Sequence, residues 1–127
     1  MPRFNMPLEL GIFLGAKRFG DEDQRQKRCL VLDVERFRYQ KFISDLAGVD
    51  IHGHAADPRR VIEVIRNWLT NVSRRKLPAA ALLSKLHAAF LPDKDKIANE
   101  LGFAPTEIPY VDFERIVTEW LLKAPPA

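Results

Sequence analysis

One cysteine stands in the 127 residues, so no disulfide can form within the chain. Cys29 lies in the apolar run Cys29-Leu30-Val31-Leu32, where it reads as a small buried hydrophobe rather than a reactive thiol. Long hydrophobic runs are also missing. No uncharged apolar stretch reaches the roughly 18 residues of a membrane span, and the N-terminus lacks the basic, apolar and small-residue blocks of a secretory signal. A cytoplasmic protein with no membrane partner is therefore expected. Charge of one sign is lacking too: 20 basic residues against 17 acidic ones leave a formal charge of +3. The basic clusters at 17–18, 25–28, 36–41 and 74–76 are interrupted by Asp21, Glu22, Asp23, Asp33 and Glu35, so nucleic acid is not the expected partner. Basic groups beside a cleft would still favour a small anionic ligand.

What is present is an ordinary globular composition, 46% hydrophobic and 29% charged. Asn5 can cap a helix and Pro7 suits its first turn, after which Leu8-Glu9-Leu10-Gly11-Ile12-Phe13-Leu14-Gly15-Ala16 is apolar on every face. Such a helix is expected to be buried, with Gly11 and Gly15 admitting another backbone closely. Residues 21–26 read as a solvated loop. Lys27-Arg28-Cys29-Leu30-Val31-Leu32-Asp33 reads as a strand buried on both faces. Residues 36–47 predict an irregular segment entering a short helix stopped by Gly48, and Val49-Asp50-Ile51-His52 a second strand. Asp57 and Pro58 open a helix with Val61, Ile62, Ile65, Trp68 and Leu69 on one stripe. Helices are then predicted over 78–91, over 93–101 with Gly102 as its stop, and over 112–123. Trp68 and Trp120 fall on apolar stripes and read as core. The expected division is a partial nucleotide-binding-like α/β domain over 1–76 and a helical C-terminal extension over 77–127.

Three segments carry a resemblance. They are Arg3-Phe4-Asn5-Met6-Pro7-Leu8-Glu9-Leu10-Gly11-Ile12-Phe13-Leu14-Gly15-Ala16, Cys29-Leu30-Val31-Leu32-Asp33, and Tyr39-Gln40-Lys41-Phe42-Ile43-Ser44-Asp45-Leu46-Ala47-Gly48. Together with the terminal helix from Val111 to Leu121, they are similar to bacterial proteins of the nucleoside 2-deoxyribosyltransferase-like or Toll/interleukin-1-receptor-like type. The resemblance implies a flavodoxin-like parallel sheet, a ligand cleft at the strand C-termini, and a glutamate at a helix start that attacks or stabilises C1 of a ribose. It also implies a strand, helix and strand upstream of Arg3. Their absence here suggests a shortened form, a sheet remnant of few strands and an N-terminal helix face left bare.

Glu9 is the one ionisable group between Met6 and Ala16, and it is expected in the first helical turn, where free N–H groups and the dipole favour a carboxylate. A carboxylate so placed can serve as nucleophile or oxocarbenium stabiliser at a glycosidic carbon, or simply complement the dipole. Asn5, at the start of the same motif, is a candidate ligand contact. Asp33 ends the strand, where ligands of parallel sheets bind; it can meet a sugar hydroxyl or base edge, or cap its own loop. Arg36 and Tyr39, with Arg38, can meet phosphate or stack on a base, or form a solvated loop. His52 and His54 would point one way from a strand beside Asp50, but no matching second set of ligands exists, and His87 stands alone in a later helix, so no metal and no cofactor are expected. Lys96-Ile97-Ala98-Asn99-Glu100-Leu101-Gly102 echoes a helix-turn-helix start, but Pro105 and Pro109 interrupt what would be its recognition helix. Three functions are compatible with this reading. One is nucleotide or nucleoside binding with N-glycosidic cleavage or transfer through Glu9. The second is a non-catalytic nucleotide-sensing or protein-interaction module, with a second copy on the bare helix face. The third, nucleic-acid binding, fits the charge pattern least.

Overall fold

The computed structural model describes residues 5–35, 49–104 and 107–123. The short helix expected within 36–47, and with it Arg36 and Tyr39, lies outside the described residues. The elements in chain order are α1 (Asn5–Phe19), α2 (Glu22–Gln26), β1 (Leu30–Asp33), β2 (Asp50–Gly53), α3 (Pro58–Ser73), α4 (Ala80–Glu100) and α5 (Tyr110–Lys123). The protein is predominantly helical with one small parallel pair, β1-β2, an α/β arrangement of few strands. It divides into two compact units, Met1–His52 and Gly53–Ala127.

In the first unit, α1 starts at Asn5 and packs on α2. The turn between them requires glycine: a Cβ at Gly20 would collide with the Ala16 carbonyl oxygen, to which the Gly20 N–H is bonded at 2.8 Å. Residues 22–26 form α2 rather than the expected loop. Asp21 accepts the Gln24 N–H at 2.9 Å, and Glu22 and Asp23 follow in the first turn, so capping and dipole terms outweigh the lack of an apolar stripe.

Burial of α1 is not observed. Leu8 and Ile12 are 66% and 65% exposed, and an added Cβ at Gly11 or Gly15 would meet no atom of the described residues within 4 Å, so among these residues neither glycine serves a close backbone approach. Only one side of the helix is partly covered: Leu10, Phe13 and Leu14 are half-buried while Leu8 and Ile12 stay in water. The strand at Leu30–Asp33 forms as expected but is half-buried throughout, Cys29 with it. In β2, Ile51 and Gly53 are half-buried, while Asp50 and His52 are exposed.

The second unit is built from α3 on α4 and α4 on α5. Asp57 caps α3 by accepting the Arg59 N–H at 2.9 Å, and Pro58 occupies its first turn, as the sequence implies. The Arg66 guanidinium donates to the Leu77 and Pro78 carbonyls, each at 2.8 Å, pinning the connector that follows α3. The expected break at Pro92 is absent, and α4 runs unbroken from Ala80 to Glu100. A proline inside a helix removes one backbone bond and costs about 3 kcal/mol. Contacts on either side of it hold the helix together. Phe90 is buried edge-on against Phe113 and Trp120, with ring centroids 6.1 and 5.3 Å away, and the Trp120 Nε1–H donates to Asp93 Oδ2 at 2.7 Å. Gly102, at φ 79°, ends α4 as expected. The last helix begins at Tyr110, two residues before the predicted start, because the Pro109 carbonyl already accepts the Phe113 N–H at 2.9 Å.

Candidate functional site

Immediately after β2 the chain turns sharply into α3. The Asp57 N–H donates to the His54 carbonyl at 2.8 Å, closing a four-residue turn over His54-Ala55-Ala56-Asp57. Both central residues have positive φ, 50° at Ala55 and 57° at Ala56. This is the type I′ pattern, which favours Asn and Gly, and placing alanine there costs on the order of 1 kcal/mol per residue. Strain of this kind is held where the surroundings over-determine the backbone, and such places are often functional. One surrounding contact comes from His54 itself, whose Nδ1 accepts the Ala56 N–H at 3.2 Å. That bond requires a bare Nδ1, so the neutral ring carries its proton on Nε2.

The turn forms one wall of an open cleft of ≈ 290 Å³ lined by His54, Ala56, Pro58, Val61, Ile62 and His87. The apolar floor comes from the first two turns of α3, which Asp57 and Pro58 set in place. His87 comes from α4, which packs on α3 and is long enough to carry it there. The cleft therefore has a mainly apolar lining, with one histidine from the turn and one from α4, a combination suited to a small flat apolar ligand. Its volume lies at the lower limit of the roughly 300–1,000 Å³ usual for ligand pockets, so the ligand it fits is small. Among the described residues no three metal-ligating side chains converge, and the two histidines alone fall short of a closed metal site.

A second cleft, of ≈ 440 Å³, lies between α4 and α5 and is lined in part by Glu100, Arg115, Glu119, Lys123 and Trp120. Its charges are of both signs. Arg115 already pairs with Asp112 at 3.2 Å and Glu100 approaches Lys96 at 3.9 Å, so it presents no uniform field to a ligand.

The residues singled out from sequence are placed as follows. Glu9 is exposed on α1, and because the helix begins at Asn5, it sits beyond the first turn. The expected support from free N–H groups is thus weakened, since those groups belong to the first four residues. Asn5 begins the helix rather than preceding it as a cap, and its side chain is outside the described set. Asp33 ends β1 half-buried, with one carboxylate oxygen accepting the Val34 N–H at 2.7 Å, which is the loop-capping role. His52 is exposed while His54 is half-buried in the cleft, so the two do not form the paired set that strand alternation suggested. Residues 96–100 form the last turn of α4 and Leu101-Gly102 follow it; Ala98 is fully buried while Lys96, Asn99 and Glu100 are exposed. Trp68 and Trp120 are half-buried; the Trp68 Nε1 is enclosed with no partner among the described residues. The sequence reading missed that His87 and His54 line one cleft. The one local hint is Ala55-Ala56 between a strand and a capped helix, a turn without the usual turn residues.

No helix among the described residues is long and apolar enough to cross a membrane. No family model, no curated protein and no solved structure matches the chain.

Proposed function

We propose that this protein is a non-catalytic binding module for a nucleobase- or nucleoside-sized ligand, taken in the cleft between His54 and His87. The observation that carries the reading is the convergence of two imidazoles on one apolar floor. Pro58, Val61 and Ile62 offer a surface to the face of a planar ring, and the imidazole nitrogens offer hydrogen bonds to its edge.

Charge favours a nucleoside over a nucleotide. The N-terminus of α3 would be the natural seat for a phosphate, but the Asp57 carboxylate already accepts the Arg59 N–H there and would repel a second anion. Titration of isotope-labelled protein with adenosine, compared with adenosine monophosphate, tests this. Expected are amide shifts confined to 54–62 and the neighbourhood of His87, adenosine binding at least as tightly as the monophosphate, and a loss of about tenfold in affinity in His87→Ala, the equivalent of one hydrogen bond. His87 is exposed, so that variant should fold. Shifts elsewhere, or an unchanged affinity in the variant, would reject the cleft.

A second reading, N-glycosidic cleavage or transfer through Glu9, has in its favour that the carboxylate is open to solvent and hence to a substrate. Glu9→Gln then removes turnover of a nucleoside while leaving adenosine binding at His87 unaltered. Equal turnover in that variant excludes Glu9.

A further inference from the structure

The turn that joins β2 to α3 holds two consecutive alanines at positive φ, 50° at Ala55 and 57° at Ala56, a conformation that a Cβ disfavours. Two hydrogen bonds keep it there: the Asp57 N–H donates to the His54 carbonyl at 2.8 Å, and the Ala56 N–H donates to His54 Nδ1 at 3.2 Å. The first joins backbone groups and is indifferent to pH. The second exists only while Nδ1 keeps its lone pair, and imidazoles as a class change charge between about pH 5 and 8.

We propose that His54 is a pH-sensitive latch on this turn: the neutral ring holds Ala55 and Ala56 at positive φ, and protonation at Nδ1 releases them. Nε2 carries the proton of the neutral ring, so a proton taken up from solvent goes to Nδ1. Two donors, Nδ1–H and the Ala56 N–H, then face each other where a hydrogen bond had been, and the ring must turn away. The turn is left with one bond against two disfavoured residues, each of which relaxes by returning to negative φ. Asn followed by Gly, the usual occupants of such a turn, would hold it without help. What moves is a wall of the cleft, since His54 and Ala56 both line it.

The charges around His54 either work in the same direction or are already engaged. His87 of α4 lines the same cleft, and two imidazolium ions there would repel each other and favour opening. On α3 the Asp57 carboxylate accepts the Arg59 N–H at 2.9 Å, and Arg60 pairs with Glu63 at 2.8 Å. On β2, Asp50 and His52 are exposed. The other described residues of the lining, Pro58, Val61 and Ile62, carry no charge.

Nuclear magnetic resonance of the labelled full chain without ligand, from about pH 8 to about pH 5, tests the latch. At the upper end His54 should show a bare Nδ1 and a protonated Nε2. As the ring takes up its proton, protection of the Ala56 amide against solvent exchange should fall at least about threefold, the loss of one net hydrogen bond, and that of the Asp57 amide should fall with the same midpoint. Ala55→Asn together with Ala56→Gly relieves the backbone without touching the ring. His54 should still titrate in that variant, while the Asp57 amide keeps its protection within about twofold. In His87→Ala the His54 ring and the two amides should still change together. A proton on Nδ1 at the upper end overturns the proposal, and so do amides that ignore the charge on His54. A response lost in His87→Ala, or an Asp57 response that survives the double substitution, overturns it as well. No ligand enters this experiment, so the latch stands or falls apart from the adenosine reading of the cleft.

Discussion

The two units differ in what they do with apolar side chains. Val64, Phe90, Ala98 and Ile116, the buried apolar residues among those described, all belong to Gly53–Ala127, while the described part of Met1–His52 contributes none. Yet α1 is the more apolar helix by sequence, with Glu9 as its one charge before Lys17, whereas α3 carries Arg59, Arg60, Glu63 and Arg66. Pattern, rather than apolar content, decides burial. The charges of α3 sit opposite Val61, Val64 and Ile65 and so define which side faces α4. On α1 no polar side excludes any orientation, and Leu10, Phe13 and Leu14 are only half-buried while Leu8, Ile12 and Phe19 stay largely in water.

The largest effect that would break this comparison comes from its best-packed residue. Phe90→Ala removes a ring that is 7% exposed and edge-on to two others, and the cost should be about 3–5 kcal/mol. That is a large part of the roughly 5–15 kcal/mol by which small domains are stable, so the second unit should unfold or nearly so. Tryptophan fluorescence reads this unit selectively, because both tryptophans, Trp68 and Trp120, lie within it. Denaturant midpoints unchanged by Phe90→Ala would mean that the second unit has no more of a core than the first.

Pro92→Ala should act in the opposite direction. Pro92 is exposed inside α4, so alanine there restores a backbone bond without opening a cavity, and stability should rise by about 2–3 kcal/mol. The same fluorescence titration measures it. A loss of stability instead would show that the proline sets a bend on which the contacts of Phe90 and Trp120 depend.

Both features bear on how much the sequence could disclose. The strand Leu30–Asp33, the Asp57-Pro58 start of α3 and the Gly102 stop were legible because each is written in neighbouring residues. Local signals failed where a distant contact outweighed them. The proline rule broke α4 at residue 92, but Phe113 and Trp120, more than twenty positions onward, hold it together. The strand rule paired His54 with His52, whereas the fold sets it on the same cleft as His87 from another helix. Apolar content suggested a covered α1, and no local rule states that a neighbour must exist to cover it. Glu9 was legible as an isolated carboxylate, but its place in the helix turned on where α1 begins, four residues earlier.

The smallest expected effect is the sharpest check on the contrast. Leu8 is two-thirds exposed, so Leu8→Ala forfeits little burial, and alanine is at least as good a helix former. Measured at about 1 µM, where two copies are largely apart, the stability of α1 by amide exchange should change by less than about 0.5 kcal/mol. A loss above about 2 kcal/mol at low concentration is what a covered leucine would give. In that case α1 is packed within its own chain, and the contrast between the two units disappears.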